Sequence, residues 1–207
     1  IPVVYDNTMG PSDVDYLTYV GVDNLQAGKE IAMAIAKKMD GKGGLLVLEG
    51  VPGQSTSDLR TKGVMDYITA NFPNIKAERV VTNWQFDKGR QVTEDYITKW
   101  GDSLKGIVAV GGNQAEGAVE AVKAARMKGV MIGGFDVQEP QYVAVNNGDE
   151  AFTVSQGVYD QAYLAVVACI KALNGEKVPR LIQTPITIVT KENLAKMDER
   201  PAALKAR

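Results

Sequence analysis

The tetrapeptide Gly133-Gly134-Phe135-Asp136 could bind a ligand, because it places an aromatic ring and a carboxylate directly after an apolar run at residues 130–132. Apolar runs closed by turn residues are typical of buried parallel strands, and open α/β sheets bind ligands beyond the carboxyl ends of such strands. An apolar face beside a hydrogen-bond acceptor suits sugars and polyols, which have C–H faces and hydroxyl donors. The alternative, which the tetrapeptide alone favours, is that Phe135 is a core residue and Asp136 caps the next helix.

Polar and aromatic side chains also follow the other predicted strands, or lie on helices that begin at the same sheet edge. They are Asp6, Asn7, Arg60, Trp84, Asn113, Gln114 and Gln156. Each has a commoner structural role: an amide caps a helix, a lone helical arginine is solvated, and a tryptophan is core. Recognition of hydroxyl groups needs mixed donors and acceptors around an aromatic wall, so their shared edge predicts a sugar or polyol site.

The composition excludes several kinds of site. The chain has 207 residues with 23 basic and 25 acidic side chains, no histidine and one cysteine. The absence of histidine removes Ser-His-Asp and Cys-His nucleophiles and every zinc site that needs an imidazole. The near-neutral charge predicts no nucleic-acid partner. The loop at residues 49–55 lacks the P-loop lysine and the dinucleotide spacing, so a tight turn is favoured over a phosphate site. We expect no metal and no cofactor.

The elements that must position these residues alternate between strand and helix patterns. Strands are predicted at residues 1–5, 19–22, 45–48, 76–82, 107–110, 130–135, 151–155 and 182–189. Helices are predicted at residues 24–40, 55–72, 87–100, 114–128, 140–146 and 159–173. Regular β-α alternation with buried strands predicts an α/β fold with a parallel sheet and helices on both faces. Because the chain opens directly on a strand, we expect it to be the latter part of a longer protein.

Several segments together resemble the periplasmic sugar-binding proteins of the ribose/xylose/galactose type, the solute-binding subunits of ABC importers. The resemblance extends from residue 1 to about residue 193, nearly the whole chain. The matching segments are residues 1–4 with Asp6, 19–24 with Ala27-Gly28, 48–53, Arg60 with Gly63, 133–136, 153–156, 175–179 and 184–193.

The resemblance implies two α/β lobes joined by three crossing segments, with the sugar held between them and no catalysis. It implies a division into residues 1–20 as a remnant of the first lobe, 21–156 as the complete second lobe, 157–183 as first lobe again, and 184–207 as a return to the second lobe and a tail. The sugar contacts it implies are Asp6, Arg60, Trp84, Phe135, Asp136 and Gln156. Asn7 stands where relatives often carry arginine, and Gly111-Gly112-Asn113 stands where they usually carry an Asn-Asp pair. Asn7 and Asn113 complete the set of candidate ligand-binding residues.

The implied ligand is a monosaccharide or polyol, and the implied partner is an ABC transporter permease. The implied location is the periplasm, or a lipid anchor outside the cell membrane, after removal of a signal peptide. Two other functions stay open at this point. One is the sugar-effector-binding core of a LacI-type transcriptional regulator. The other is an enzyme that uses Asp6 and Asp136 as a glycosidase-like carboxylate pair.

The predicted helix at residues 159–173 is apolar over most of its circumference, which is typical of a buried helix. The resemblance assigns this helix to the first lobe, beside the strand at residues 1–5. Since most of that lobe is absent from the chain, we expect the chain to self-associate or to pair with a separate piece, and to bind sugar weakly or not at all.

Overall fold

The computed structural model describes residues 3–10 and 13–197. Nine strands lie at Val4–Asp6 (β1), Thr18–Gly21 (β2), Gly43–Glu49 (β3), Ile75–Val81 (β4), Leu104–Ala109 (β5), Met131–Gly133 (β6), Thr153–Ser155 (β7), Leu181–Gln183 (β8) and Thr187–Val189 (β9) within these ranges. The α-helices in the same ranges are Asn24–Lys38 (α1), Ser55–Asn71 (α2), Phe86–Trp100 (α3), Gly112–Ala124 (α4), Glu139–Asn147 (α5) and Val158–Leu173 (α6). Short 3-10 helices occupy Gly101–Ser103 and Leu194–Lys196.

A parallel four-stranded sheet of order β4-β3-β5-β6 forms the centre of the fold. Alternate residues of β3 point to opposite faces of this sheet, as the strand period of two requires. Leu45 and Val47 pack with α1 and α2, whereas Leu46 and Leu48 pack with α3 and α4. The sheet is therefore covered by helices on both faces, which confirms the predicted α/β fold class.

A second parallel sheet has the order β1-β2-β8, and α6 packs against β1 and β2. A third, two-stranded sheet pairs β7 with β9 in antiparallel orientation. The chain passes between the β1-β2-β8 sheet and the rest of the fold after β2, after β7 and after β8. The division into lobes stays a prediction, but each of these passages lies near one of its boundaries.

The predicted strand at residues 182–189 is wrong as a single element, because β8 and β9 lie in different sheets. Pro185 separates them. Proline has no backbone N–H and biases the residue before it, so a ladder is readily interrupted at this position. The chain uses the interruption to cross from one sheet to another.

Several other boundaries also differ from the sequence prediction, among them those of α4 and β6. Helix α4 ends at Ala124 rather than residue 128, and Arg126 just beyond it has a positive φ of 54° that a helix cannot contain. Strand β6 ends at Gly133, so Phe135 and Asp136 belong to the segment after the strand. Residues 1 and 2 of the first predicted strand and the tail at residues 198–207 lie outside the described residues.

The outer face of α6 is exposed. Its large apolar side chains are 53–77% exposed at Tyr159, Tyr163, Val166, Ile170 and Leu173. Their spacing of four, three, four and three residues makes one straight stripe along the helix. No helix in the described ranges is long and apolar enough to cross a membrane.

Candidate functional site

A cleft of about 350 Å³ opens where the carboxyl ends of the central strands meet the segment that follows β1. Thirteen residues line it: Asn7, Thr8, Gln54, Thr56, Arg60, Trp84, Gly111, Gly112, Asn113, Gln114, Asp136, Gln138 and Gln156. Six of the eight candidate ligand-binding residues are among them; Asp6 and Phe135 are not. The volume falls in the range of small-molecule sites.

Arg60 enters the cleft from α2, and its guanidinium is held from three sides. Its Nε donates to Asn24 Oδ1 at 2.8 Å, Nη1 to the Val110 carbonyl at 3.0 Å, and Nη2 to Gln156 Oε1 at 2.8 Å. The residue is only 3% exposed, and burial lowers the pKa of Arg60 to about 10, with Asp136 and Tyr19 opposing the shift. The side chain therefore remains a cation at neutral pH, with two of its five N–H groups left for a ligand.

Gln156 connects Arg60 to Asp136. Its Oε1 accepts from Arg60, and its Nε2 donates to Asp136 Oδ1 at 2.6 Å, so the orientation of the amide is fixed by its two partners. The Asp136 backbone N–H bonds the Val154 carbonyl at 2.8 Å. The result is a row of three side chains in which the cation and the carboxylate are held apart by one amide.

Trp84 supplies the aromatic surface of the cleft, and its ring is half-buried. Its Nε1 donates to Gln54 Oε1 at 2.6 Å. Asn113 lies beside it and donates from Nδ2 to the Trp84 carbonyl at 3.3 Å. A tryptophan that borders a polar cleft with its N–H satisfied is suited to stacking on a sugar ring.

The expectation that Phe135 walls the ligand ring is not met, because Phe135 is fully buried in the core. The Arg60 guanidinium lies 4.1 Å from the centre of its ring and separates it from the cleft. A cation over an aromatic face is stabilised by the ring quadrupole. Phe135 therefore supports Arg60 from beneath, which is close to the core role that the tetrapeptide alone favoured.

Asp6 ends β1 with its side chain exposed, but it does not line the cleft. Partial desolvation raises the pKa of Asp6, and a hydrogen bond from the Asn7 backbone lowers it in part. Asn7, the next residue, does reach the cleft. Of the two carboxylates considered as a glycosidase-like pair, Asp136 therefore lines the cleft and Asp6 does not.

The sequence analysis missed several cleft residues. Gln54, Thr8, Thr56 and Gln138 line the cleft, as does Gln114, which the sequence analysis placed at this edge but did not name among the implied sugar contacts. Gln54 and Thr56 flank the start of α2, and Gln138 follows Asp136 by two residues. The rule that ligands bind at strand ends could have found them if it had covered the whole loop after each strand.

Contacts across the cleft edge join the segment after β1 to the start of α2. The Met9 backbone N–H donates to Ser55 Oγ at 3.0 Å, and Thr8 Oγ1 lies 3.5 Å from Thr56 Oγ1. The Ser55 hydroxyl in turn donates to the Met9 carbonyl at 3.3 Å. The cleft is therefore bounded by the segment after β1, a strand of the second sheet, as well as by the central sheet.

Backbone strain is concentrated around the cleft. Six non-glycine residues in the described part of the chain have positive φ, and four of them lie at strand ends around the cleft: Asn7 at 62°, Asn83 at 54°, Trp84 at 62° and Asp136 at 73°. Such conformations cost roughly 1–3 kcal/mol each and are typical of ligand clamps and other functional sites.

A buried acid lies behind the strand end that carries Asp136. Glu150 is 1% exposed, and neither of its carboxylate oxygens has a hydrogen-bond partner among the described residues. A β-carbon added at Gly134 would lie 2.8 Å from Glu150 Oε2, which places the carboxyl against that glycine. Burial raises the pKa of Glu150 well above its usual value, with the charges of Glu116, Asp136 and Asp149 adding to the shift.

We expect Glu150→Leu to raise the free energy of unfolding at pH 7 by about 1–3 kcal/mol, the usual cost of an unsatisfied buried polar group. Because the pKa of Glu150 is higher in the folded state, its contribution is most favourable below the unfolded value near 4.5 and is lost as pH rises toward the folded value. The gain from the substitution should therefore grow with pH above about 4.5. Urea denaturation between pH 4 and 8 measures it. The exposed control Glu94→Leu should show no such growth, and equal pH profiles for the two variants would contradict the assignment.

The chain is similar in sequence to a known protein family and to several of its members. The family model for the periplasmic binding protein domain matches residues 1–177. The chain is 32% identical to the ribose import binding protein of Haemophilus influenzae over 87% of this chain and 61% of that protein. It is 29% identical to the xylitol-binding protein of Mycolicibacterium smegmatis over 83% of this chain and 49% of that protein.

Two solved structures are similar to the chain in both fold and sequence. One is an ABC transporter solute-binding protein from Agrobacterium vitis with bound D-fucose, at 30% identity and a TM-score of 0.89, over 95% of this chain and 68% of that one. The other is a periplasmic solute-binding protein of an ABC transporter from Actinobacillus succinogenes with bound D-allose. It is 28% identical, with a TM-score of 0.87, over 95% of this chain and 72% of that one. The chain spans 49–65% of the length of the first curated relatives it matches.

Proposed function

Since the chain belongs to the family of periplasmic binding protein domains, we propose that it binds a monosaccharide or polyol, without catalysis, for delivery to an ABC importer. The observation that carries this proposal is the row Arg60–Gln156–Asp136 beside Trp84 in one cleft. The names of the relatives, which are ribose- and xylitol-binding proteins, agree with it.

The charges in the row favour a neutral ligand rich in hydroxyl groups. Arg60 and Asp136 carry opposite charges and are bridged by one amide, so the pair leaves no net charge for an ionic ligand to balance. The free N–H groups of Arg60 can donate to hydroxyl or ring oxygens, while the second carboxylate oxygen of Asp136 can accept from a hydroxyl. Hydrogen bonds to charged groups contribute about 1.5–3 kcal/mol each.

Binding without chemistry is favoured because the candidate carboxylate pair does not meet in the cleft. The two relatives named above are binding proteins, and the two solved structures are solute-binding proteins of ABC transporters. They favour transport over the effector-binding core of a LacI-type regulator. The proposal includes a permease partner and a location in the periplasm, or at a lipid anchor outside the cell membrane.

The proposed arrangement has two lobes. The chain crosses between them at the boundaries that the resemblance implies, after residues 20, 156 and 183. The chain's own ligand contacts are then Asn7, Arg60, Trp84, Asn113, Asp136 and Gln156, with Phe135 acting through Arg60.

A thermal-shift screen of the chain against pentoses, hexoses and polyols tests the function. A ligand that binds only the native state raises its melting temperature in proportion to RT ln(1 + [L]/Kd). Of the two outcomes expected from the sequence, weak binding or none, the geometry of the cleft favours weak binding. We therefore expect at least one sugar to raise the melting temperature at concentrations of about 10 mM, where a millimolar Kd gives about 1.4 kcal/mol. Asp136→Ala should remove the shift. A screen in which no sugar shifts the wild-type chain would contradict the proposal.

The exposed stripe on α6 predicts self-association of the chain. Five large apolar side chains in one row form a patch of the kind that single soluble domains seldom expose. We expect sedimentation velocity to show dimers or larger species at micromolar concentration, and the double variant Tyr163→Lys/Ile170→Lys to be monomeric. The control Val143→Lys, on an isolated side chain that is 43% exposed, should associate like the wild type. A monomeric wild type would contradict this prediction.

A further inference from the structure

The turn that carries Trp84 has an unusual backbone conformation. Asn83 and Trp84 are consecutive residues with left-handed φ angles of 54° and 62°. Neither is glycine, and the left-handed region is unfavourable for an ordinary side chain, least so for asparagine. Such a turn persists only where the surroundings over-determine it, so the contacts around it show what it is for.

Gln114 holds Thr82, the residue just before this turn. It is fully buried, and its Nε2 lies within hydrogen-bond distance of three acceptors: the Glu49 carbonyl at 2.8 Å, Thr82 Oγ1 at 2.8 Å and the Leu48 carbonyl at 3.2 Å. Thr82 also donates from its hydroxyl to the Glu49 carbonyl at 2.7 Å. One amide group from α4 therefore ties the end of β3 to the residue after β4, two positions before Trp84.

The carbonyl oxygen of Gln114 has no hydrogen-bond partner among the described residues, although it is buried. The three acceptors around Nε2 forbid a flip of the amide, because the oxygen cannot donate to them. The side chain thus keeps an unsatisfied acceptor in order to hold the turn. A buried polar group retained at such a cost is expected at a functional position.

Two glycines allow the indole to lie close against the backbone. A β-carbon at Gly50 would lie 2.1 Å from Trp84 Cζ2, and one at Gly111 would lie 2.8 Å from Trp84 Cε3 and 2.6 Å from Gln114 Oε1. The φ of Gly111 is −155°, which any residue can adopt, so the close approach and not the backbone requires glycine there. The indole is therefore seated between the ends of β3 and β5, with Nε1 on Gln54.

We infer that Gln114 is a positioning residue that holds Trp84 as a rigid stacking platform before the ligand arrives, and that Gly50 and Gly111 leave the space against which its ring is seated. This inference deepens the proposed function and rests on it for the identity of the ligand, a sugar or polyol ring with an apolar C–H face. Rigidity before binding lowers the ordering cost of association, so the platform contributes to affinity through preorganisation.

The test combines ligand affinity with the fluorescence of Trp84 in a Trp100→Phe background, where Trp84 is the remaining tryptophan. Gln114→Met keeps the length of the side chain but removes its hydrogen bonds. We expect it to raise the Kd for the best ligand of the thermal-shift screen about tenfold, as measured by calorimetry. We also expect it to make Trp84 more accessible to acrylamide quenching in the ligand-free protein. Gly111→Ala should displace the ring and give the same two changes.

Thr93→Val is the matched control, because it removes a buried hydroxyl that bonds only the Gly89 carbonyl of its own helix, at 2.8 Å. It should lower the melting temperature without changing the quenching of Trp84 or the Kd. If Gln114→Met and Gly111→Ala both quench like this control, the positioning role is wrong. If the wild type binds no sugar, the proposed function fails, but the quenching of the ligand-free variants still decides whether Gln114 positions Trp84.

Discussion

Replacing Asp136 by asparagine is expected to weaken sugar binding at least about 100-fold while leaving the fold intact. The substitution removes the charge that strengthens hydrogen bonds to ligand hydroxyls, each worth about 1.5–3 kcal/mol. It also disturbs the Gln156 bond to Asp136 Oδ1 and, through it, the orientation of Arg60. Asparagine tolerates the positive φ of 73° at this position, so the backbone can stay in place.

Isothermal calorimetry with the best ligand of the thermal-shift screen measures this effect. The melting temperature of the ligand-free variant should match that of the wild type, which separates lost binding from lost folding. Asp87→Asn, an exposed acid in the first turn of α3, is the charge-matched control and should bind as the wild type does. A Kd of Asp136→Asn within about threefold of the wild-type Kd, a difference of about 0.6 kcal/mol, would show that Asp136 does not contact the ligand.

Replacing Arg60 by methionine is expected to abolish binding and also to destabilise the protein, by about 3–5 kcal/mol. Sequence reasoning treats a helical arginine as a surface group whose loss spares the fold. The structure corrects this, because Arg60 is buried and satisfies Asn24, Val110 and Gln156. Without it, three buried acceptors lose their donor, and each such loss costs about 1–3 kcal/mol.

Urea denaturation measures the stability change, and Arg79→Met is the control. Arg79 forms an ion pair with Glu49 at 2.8 Å, but its side chain is 61% exposed. Exposed pairs contribute about 0–1 kcal/mol, so this variant should unfold close to the wild type. Arg60→Lys should be nearly as damaging as Arg60→Met, since one ammonium group cannot reproduce the planar fork. Equal unfolding midpoints for Arg60→Met and Arg79→Met would show that the buried network does not stabilise the fold.

The local elements could be predicted because each is specified by its own neighbours in sequence. The run at residues 45–48 is apolar on both faces, which indicates a strand buried on both sides, and β3 is such a strand. The same logic brings Trp84, Asn113 and Asp136 to one cleft, since β4, β5 and β6 are parallel and their carboxyl ends share an edge. Asn7 and Gln156 follow strands of the two other sheets and Arg60 lies on α2, so their place in the cleft depends on the tertiary structure. That these side chains contact a ligand stays a prediction.

What the tertiary structure alone decides is which side chains at that edge face the cleft and which face the core. Phe135 and Asp136 are adjacent in sequence, yet the ring of Phe135 is buried beneath Arg60 while Asp136 opens to the cleft. Gln114 and Glu150 carry no local signal of their roles, because the partners of Gln114 come from β3 and the end of β4, and Glu150 is enclosed by packing. Sequence periodicity reports the face on which a residue lies, whereas burial, charge and hydrogen bonding depend on which distant segment covers that face.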